Sequence, residues 1–359
     1  MDILHVDPER GWGGGEVQVV SLIRELGRRG HRARLAADPR GRLAAAAAAV
    51  GATVVPLAIA NGFDLAAGLR LRRLVAGHDV VHFHTARAHA LAPLCRGRGA
   101  RLVVTRRMDY VPRGGPYVRW LYNRSVDVVI AISEGVRAAL LQAGVDPSRI
   151  RVVPSGIDPG RVEAAPAMRQ TTRRAWSIGD DALVVLVLGA LERRKGHAVL
   201  LEAALRLGPT TPPVCWVFCG DGSERDALVA AARPLGDRVR FAGFQRDVAA
   251  CLAAADVVAV PSLHEGLGVS ALEAMAAGRP VLASRVGGLA EVVIPGETGL
   301  LVPPRDAAAL AGALGLLIAD PAGRQRLGAA GRARVLAHYT AERMAAGTLA
   351  CYSEPPCDR

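Results

Sequence analysis

At 359 residues the chain is longer than one hydrophobic core usually supports, so two domains are expected. It is 51% hydrophobic but only 4% aromatic, which excludes a disordered or fibrous chain and predicts cores built from Ala, Val and Leu. The net charge of +12 favours anionic partners such as nucleotide phosphates or acidic lipid; without zinc-finger spacing, a long basic tail or an aromatic-basic RNA motif, no nucleic-acid partner is expected.

The first residues, MDILHVDPER, include an acid and no long apolar region, so they do not read as a signal peptide. Short β-branched runs then recur: ILHV (3–6), TVVPL (53–57), DVVHF (79–83), RLVVT (101–105), DVVIAI (127–132) and IRVV (150–153). Segments of helical length, rich in Ala, Leu and Arg, lie between most of them. The clearest is EVQVVSLIRELGRRG (16–30), where Val19, Val20, Leu22, Ile23 and Leu26 form one apolar stripe and Gly30 is placed to end it. LAAAAAAV (43–50) is too short to cross a bilayer, and no apolar run reaches the roughly 18 residues that crossing needs. Helices alternating with near-continuous apolar strands predict a parallel sheet covered on both faces.

The alternation stops over 154–181, which is rich in Pro, Gly and Arg. It resumes with LVVLVLGA (183–190), VCWVFCG (214–220), RVRFAG (238–243), DVVAVPS (256–262), PVLAS (280–284) and GLLV (299–302), a second parallel α/β unit. The boundary falls near 160, giving an N-terminal domain over 1–160 and a C-terminal domain over 161–339. A last helical segment (319–353) has no strand after it, and residues 340–359 are expected to cross back onto the first domain. Two such units facing each other would set the C-terminal ends of their strands around a shared cleft. The six cysteines form no CxxC pair and read as buried small residues in a reducing compartment, with Cys351 and Cys357 flanking a terminal SEPP stretch.

The stretch PSLHEGLGVSALEAMAAGRPVLAS (261–284) carries the most chemistry. A strand ends at Pro261, a loop HEGLG follows, and a helix runs from about Val269 to Ala277, closed by Gly278 and Pro280. The loop amides and the helix start form a site for negative charge such as a phosphate. Glu265 and Glu273 bracket it. A carboxylate beside a bound phosphate is poorly placed to touch that phosphate and well placed to accept from ribose or hexose hydroxyls. Together these features describe a nucleotide-sugar site. LGALERRKGHAVLLEA (188–203) repeats the design, with a strand ending at Gly189, a loop carrying Arg193, Arg194 and Lys195, and a helix from about Gly196. Lys195 is the only lysine among 45 basic residues. Its flexible ammonium can reach a diphosphate as a compact point charge.

In order from about 183 to 305, LGALERRKGHAVLLEA, CGDGSERDAL, RVRFAGFQRDV, ADVVAVPSLHEGLGVSALEAMAAGRPVLASRVGGLAEVV and GETGLLVPP resemble the retaining glycosyltransferase family 4. GGGEVQ (13–18), DVVHFH (79–84), VDVVIAISEGV (126–136) and IRVVPSGID (150–158) agree more loosely, so the resemblance covers nearly the whole chain. It implies an α/β fold of the GT-B type, two facing Rossmann-like, doubly wound parallel-sheet domains. It implies transfer of a hexose-type sugar from a UDP- or GDP-sugar to an acceptor hydroxyl with retention of anomeric configuration. By position, Glu273 would hold the donor ribose and Glu265 the hydroxyls of the transferred sugar. Gly266 and the amides around Leu267, Gly268 and Val269 would bind diphosphate or sugar, and Lys195 would neutralise the departing diphosphate. Phe244 falls where the family's backbone reads the base, and Gly14 and Gly15 would let the first domain's loop approach the phosphates.

Two departures stand out. Where the family often has Gly-Arg, this chain has Gly189 followed by Ala190, and Arg193 or Arg194 would substitute. Where the family often has a catalytic histidine after the fifth strand, VVTRRMDY (103–110) puts Arg107 nearest the place, with His82, His84 and His89 in the neighbouring segment. Lys195, Glu265, Arg107 and His84 are therefore the candidate catalytic residues. No Asp-x-Asp pair occurs, so neither a metal nor another cofactor is expected beyond the nucleotide-sugar substrate. The acceptor would be a carbohydrate or lipid-linked molecule of the cell envelope. The protein would be cytoplasmic, its basic first domain touching the anionic inner face of the membrane. A non-catalytic nucleotide-sugar binder and a dinucleotide-dependent oxidoreductase are the alternatives, although GWGGGE is not a spaced G-x-G-x-x-G fingerprint.

Overall fold

The computed structural model describes residues 1–112, 115–163 and 166–354; Cys357 lies outside them. The chain divides into two units, Met1–Gly156 together with the segment from Ala341 onward, and Ile157–Thr340.

The first unit contains β1 (Asp2–Asp7), β2 (Arg32–Ala37), β3 (Thr53–Pro56), β4 (Val80–Phe83), β5 (Arg101–Arg106), β6 (Val128–Ala131) and β7 (Ile150–Val152). They form one parallel sheet in the order β3-β2-β1-β4-β5-β6-β7, which reverses direction between β1 and β4. β2 has no counterpart among the β-branched runs, because RARLAA contains no β-branched residue. Burial makes it a strand: Leu35 and Ala37 pack with Val19, Ile23 and Leu43 in one apolar cluster. The predicted stripe, Val19 to Leu26, lies within the helix Gly14–Arg28, which ends two residues before Gly30, and its Leu22 and Leu26 enter the core beside Ile3 and Val80.

The second unit contains β8 (Leu183–Leu188), β9 (Val214–Cys219), β10 (Val239–Gly243), β11 (Val257–Val260), β12 (Val281–Ser284) and β13 (Gly299–Val302). Their order is β10-β9-β8-β11-β12-β13, again parallel, with the reversal between β8 and β11. β9 and β11 are buried along their whole length and β8 along nearly all of it, which explains why they read as unbroken apolar runs. Each fully buried Val, Leu or Phe contributes about 1.5–3 kcal/mol. The described residues of 154–181 form no strand, as expected, and hold the helix Pro166–Ala175. Its Arg173, within the run TTRR (171–174), is 1% exposed and pairs with Asp256 at 3.3 Å.

The last helical segment is two helices. Pro321–His338 packs on the helix Val269–Ala276 of the second unit. Ala341–Ser353 packs on Gly14–Arg28 and puts Met344, Cys351 and Tyr352 into the core of the first unit. The five described cysteines are free and buried. Among the described residues no helix is long and apolar enough to cross a membrane.

Candidate functional site

Ligands of open α/β sheets bind at strand C-termini where the strand order reverses. In the second unit that point lies between β8 and β11, and the loops leaving these strands meet there. The turn Arg193–Lys195 follows β8, and the Arg194 carbonyl accepts the Leu263 N–H at 2.7 Å from the loop after β11. Gly196 makes the contact feasible. It sits at φ +67° against the Pro261 carbonyl, where any Cβ would collide with backbone.

This junction brings Lys195 Nζ to 2.5 Å from Glu265 Oε2, with side-chain exposures of 16% and 10%. Ser262, fully buried, donates to the same carboxylate oxygen at 3.1 Å. The ammonium has three donors and Glu265 uses one, so Lys195 can be held by the protein and still face an anion. Beside it starts the helix Val269–Ala276. Its N-cap, Gly268 at φ +95°, offers no side-chain cap, and its first turn has no acid. The helix thus presents amides and a partial positive charge to any ligand at its start. The Leu267 side chain is 1% exposed and belongs to the core, so only its backbone can serve a ligand.

Glu273 lies further along the same helix and is buried. Burial raises its pKa to about 7, partly offset by the charge of Arg161. Of the two candidate replacements for the absent arginine, Arg194 is tied to Glu192 at 2.7 Å, while Arg193 is exposed. Phe244 follows β10 directly and is 41% exposed. Gly189 closes β8 by donating its N–H to the Cys219 carbonyl at 3.0 Å. Sequence reasoning missed Ser262 and Arg161. Ser262 sits inside a quoted motif and could have been weighed as a partner for Glu265; Arg161 lies outside every motif.

The first unit has its own reversal, between β1 and β4. Gly14 and Gly15 open the helix after β1, and the preceding Gly13 N–H donates to Glu16 Oε2 at 2.7 Å. A Cβ on Gly15 would lie 3.8 Å from Arg107 Cδ, so Arg107 and this turn are neighbours. The buried Nε of Arg107 makes no hydrogen bond among the described residues. Asp7, 2% exposed at the end of β1, has its pKa raised to about 7 by burial, against the pull of the Glu9 amide.

His84, the histidine among the candidate catalytic residues, is buried. It is 3% exposed and its Nε2 lies 3.0 Å from His5 Nδ1. His82 is held by Tyr352 at 2.7 Å and Thr105 at 2.6 Å, and His89 by Tyr122 at 3.2 Å. Burial lowers the pKa of all four, His5 and His89 to about 3, so they are neutral at physiological pH. Among the described residues, His5, His82 and His84 are the one group of three side chains close enough to share a metal ion, but both nitrogens of His82 are already engaged by hydroxyls.

Comparison with known proteins identifies the family. Residues 168–334 match the family described as Glycosyl transferases group 1, and residues 12–161 match Glycosyltransferase Family 4. A GDP-mannose-dependent alpha-(1-6)-phosphatidylinositol monomannoside mannosyltransferase of Mycolicibacterium smegmatis is 34% identical over 283 residues, 73% of this chain and 74% of that protein. A glycogen synthase of Mycobacterium tuberculosis is 37% identical over 172 residues, 47% of this chain and 42% of that longer protein. Among solved structures, Anabaena HepE in complex with UDP and glucose superposes with a TM-score of 0.89 at 23% identity, covering 98% of this chain and 99% of that one; at that identity the likeness concerns the fold.

Proposed function

The chain belongs to glycosyltransferase family 4, and from that premise we propose that it moves a hexose-type sugar from a UDP- or GDP-sugar to an acceptor hydroxyl with retention of anomeric configuration. The observation that carries the reading is the Lys195–Glu265 pair beside the uncapped start of the helix Val269–Ala276. HepE was crystallised with UDP and glucose, and the M. smegmatis relative is named for GDP-mannose, which supports a nucleotide-sugar donor.

As the bond from the anomeric carbon to the diphosphate oxygen breaks, negative charge grows on the leaving phosphate. Lys195 and the helix amides are fixed in place before that charge develops, so they stabilise the transition state more than the ground state. The acceptor hydroxyl attacks from the same face and passes its proton to the departing phosphate oxygen. Glu265 orients the sugar hydroxyls while anchoring Lys195. Glu273 accepts from the ribose hydroxyls, and Arg193, the exposed arginine of the pair, assists the diphosphate in place of the residue missing at Ala190. Phe244 lies beside the base. In the first unit Arg107 at the Gly14-Gly15 turn serves the reacting sugar, and His84 supports that layer from within. The reaction is proposed to need no metal, since no Asp-x-Asp pair is available. The acceptor is proposed to be a carbohydrate or lipid-linked molecule of the cell envelope, met on the cytoplasmic side.

The test is a panel of UDP-, GDP- and ADP-sugars scored by thermal stabilisation, followed by nucleoside diphosphate release with candidate acceptors and NMR of the product anomer. Release of diphosphate with a product of unchanged configuration is expected. An inverted product removes the retention claim, and stabilisation by no nucleotide sugar removes the donor claim.

A further inference from the structure

The positive charge is concentrated in one stretch. The second unit holds 20 basic and 18 acidic residues, the first 25 and 15. Residues 65–125 hold twelve arginines against two acids, Asp79 and Asp109, and so account for the whole excess of the first unit. Apart from Met1, that stretch and the loop just before it also hold the large apolar side chains that the first unit exposes. Phe63 is 83% exposed, Leu65 66% and Leu69 56%, and Tyr117 and Trp120 are nearly half exposed. In the second unit the exposed apolar residues, such as Leu205, Val229 and Leu316, are scattered over separate helices.

Packing gathers these residues into one surface. Leu65 and Leu69 lie one turn apart on the helix Leu65–Val75, which packs on the helix Ala92–Cys95. That helix packs on the turn Leu121–Ser125, which continues the helix Gly115–Trp120. Arg72 fastens the first pair by donating to the Leu94 carbonyl at 2.6 Å. Ala90 lies between the apolar groups: the Tyr117 hydroxyl reaches its carbonyl at 3.4 Å, and a Cβ on Gly62, next to Phe63, would lie 2.9 Å from its methyl. Beside Trp120 runs an open groove of about 960 Å³, lined by Val111, Arg119, Arg124 and Arg149 among others. Asp64, the acid nearest the apolar tip, is occupied as a cap, accepting from the amides of Ala60 and Ala67 at 3.0 Å each.

We propose that this face rests on an anionic lipid surface. Phe63, Leu65, Leu69, Tyr117 and Trp120 enter the interfacial layer, while the exposed Arg70, Arg73, Arg98, Arg119 and Arg124 meet lipid phosphates. Tyr and Trp suit that depth because their rings are apolar and their polar ends stay wet. Arginines near such a surface act additively, each adding about fivefold in affinity. The inference does not depend on the sugar donor, and its test uses none.

The experiment is co-sedimentation of the full chain with vesicles of phosphatidylcholine alone or mixed with phosphatidylglycerol. Binding to the mixed vesicles, reversed by high salt, is expected. The variant Arg70→Ser/Arg119→Ser should lose about 25-fold in partitioning, two arginines at about fivefold each. Phe63→Ser/Leu69→Ser should bind weakly even at low salt. Both change exposed positions, so melting temperature and nucleotide binding should stay at wild-type values. Equal sedimentation with both vesicle types, or variants that bind like wild type, overturns the proposal. A dimer in sedimentation velocity that ignores vesicles assigns the face to a second copy and also overturns it.

Discussion

The two units treat positive charge in opposite ways. The second is close to neutral overall, yet its single lysine is held at 2.5 Å from Glu265, largely out of water and next to a helix start. The first carries its excess on the arginines of one stretch, among which Arg70, Arg73, Arg98, Arg119 and Arg124 are exposed. Water and salt screen exposed charges and leave partly buried ones strong. One fixed cation can therefore change a reaction barrier, whereas several exposed ones act only together and over a broad surface. Placement decides what the charge does, and number decides little.

The sharpest way to break this contrast is Lys195→Ala. Turnover, measured as nucleoside diphosphate release, should fall about 10²–10³-fold, the usual cost of removing one preplaced group from a developing anion, with the melting temperature unchanged. Lys195→Arg should recover only part of the loss, because a planar fork does not fit the place of a point charge held by Glu265. Wild-type turnover in Lys195→Ala would end the special status of this lysine.

Glu273 gives the next effect. Its pKa is raised in the folded state, to about 7 from an ordinary 4.5. Between those values the unfolded chain is ionised there and the folded chain is not. Stability is thus greatest below the unfolded pKa, falls as pH rises towards 7, and levels off above it, a change of about 3 kcal/mol. Glu273→Gln should remove that slope in urea titrations and be the more stable protein above pH 7. The same variant should bind nucleotide more weakly by calorimetry. Wild-type affinity should rise through the same pH range as the carboxylate forms.

Arg107→Ala carries the question to the first unit. It should lower turnover about tenfold, about 1.4 kcal/mol, while leaving nucleotide affinity as it was. A drop in affinity with unchanged turnover would instead make Arg107 a donor ligand. The smallest effect is expected at Arg32, which is 83% exposed although it pairs with Asp2 at 2.5 Å. Arg32→Ala should leave the melting temperature at its wild-type value, in keeping with exposed pairs generally.

Much of the architecture was readable because buried parallel strands leave unbroken apolar runs; LVVLVL and VCWVFC became β8 and β9 with little adjustment. β2 escaped because RARLAA shows no β propensity and is made a strand by its neighbours. The pairing of Lys195 with Glu265, seventy positions apart, could be suspected from two strand-end loops but not measured. The surroundings of the histidines were not legible for a physical reason: a histidine near the end of a strand looks the same in sequence whether its ring faces solvent or, as with His84, another histidine. The burial of Arg173 was hidden too, since its partner Asp256 is far away in the chain. The crowding of arginines into residues 65–125 was visible all along and needed only a count by region rather than by motif.

The helix Ala341–Ser353 bears on how the protein is made. It lays Tyr352 against His82 and Met344 and Cys351 into a core that begins at Ile3. On the ribosome, sheet strands β1 to β7 emerge first, but the helix that completes their core emerges only after all of the second unit has passed. The unit synthesised first is therefore finished last, while the second unit has all its strands before that helix emerges. During synthesis the helix Gly14–Arg28 covers part of this core early, and the part that Met344, Cys351 and Tyr352 fill stays open until the end.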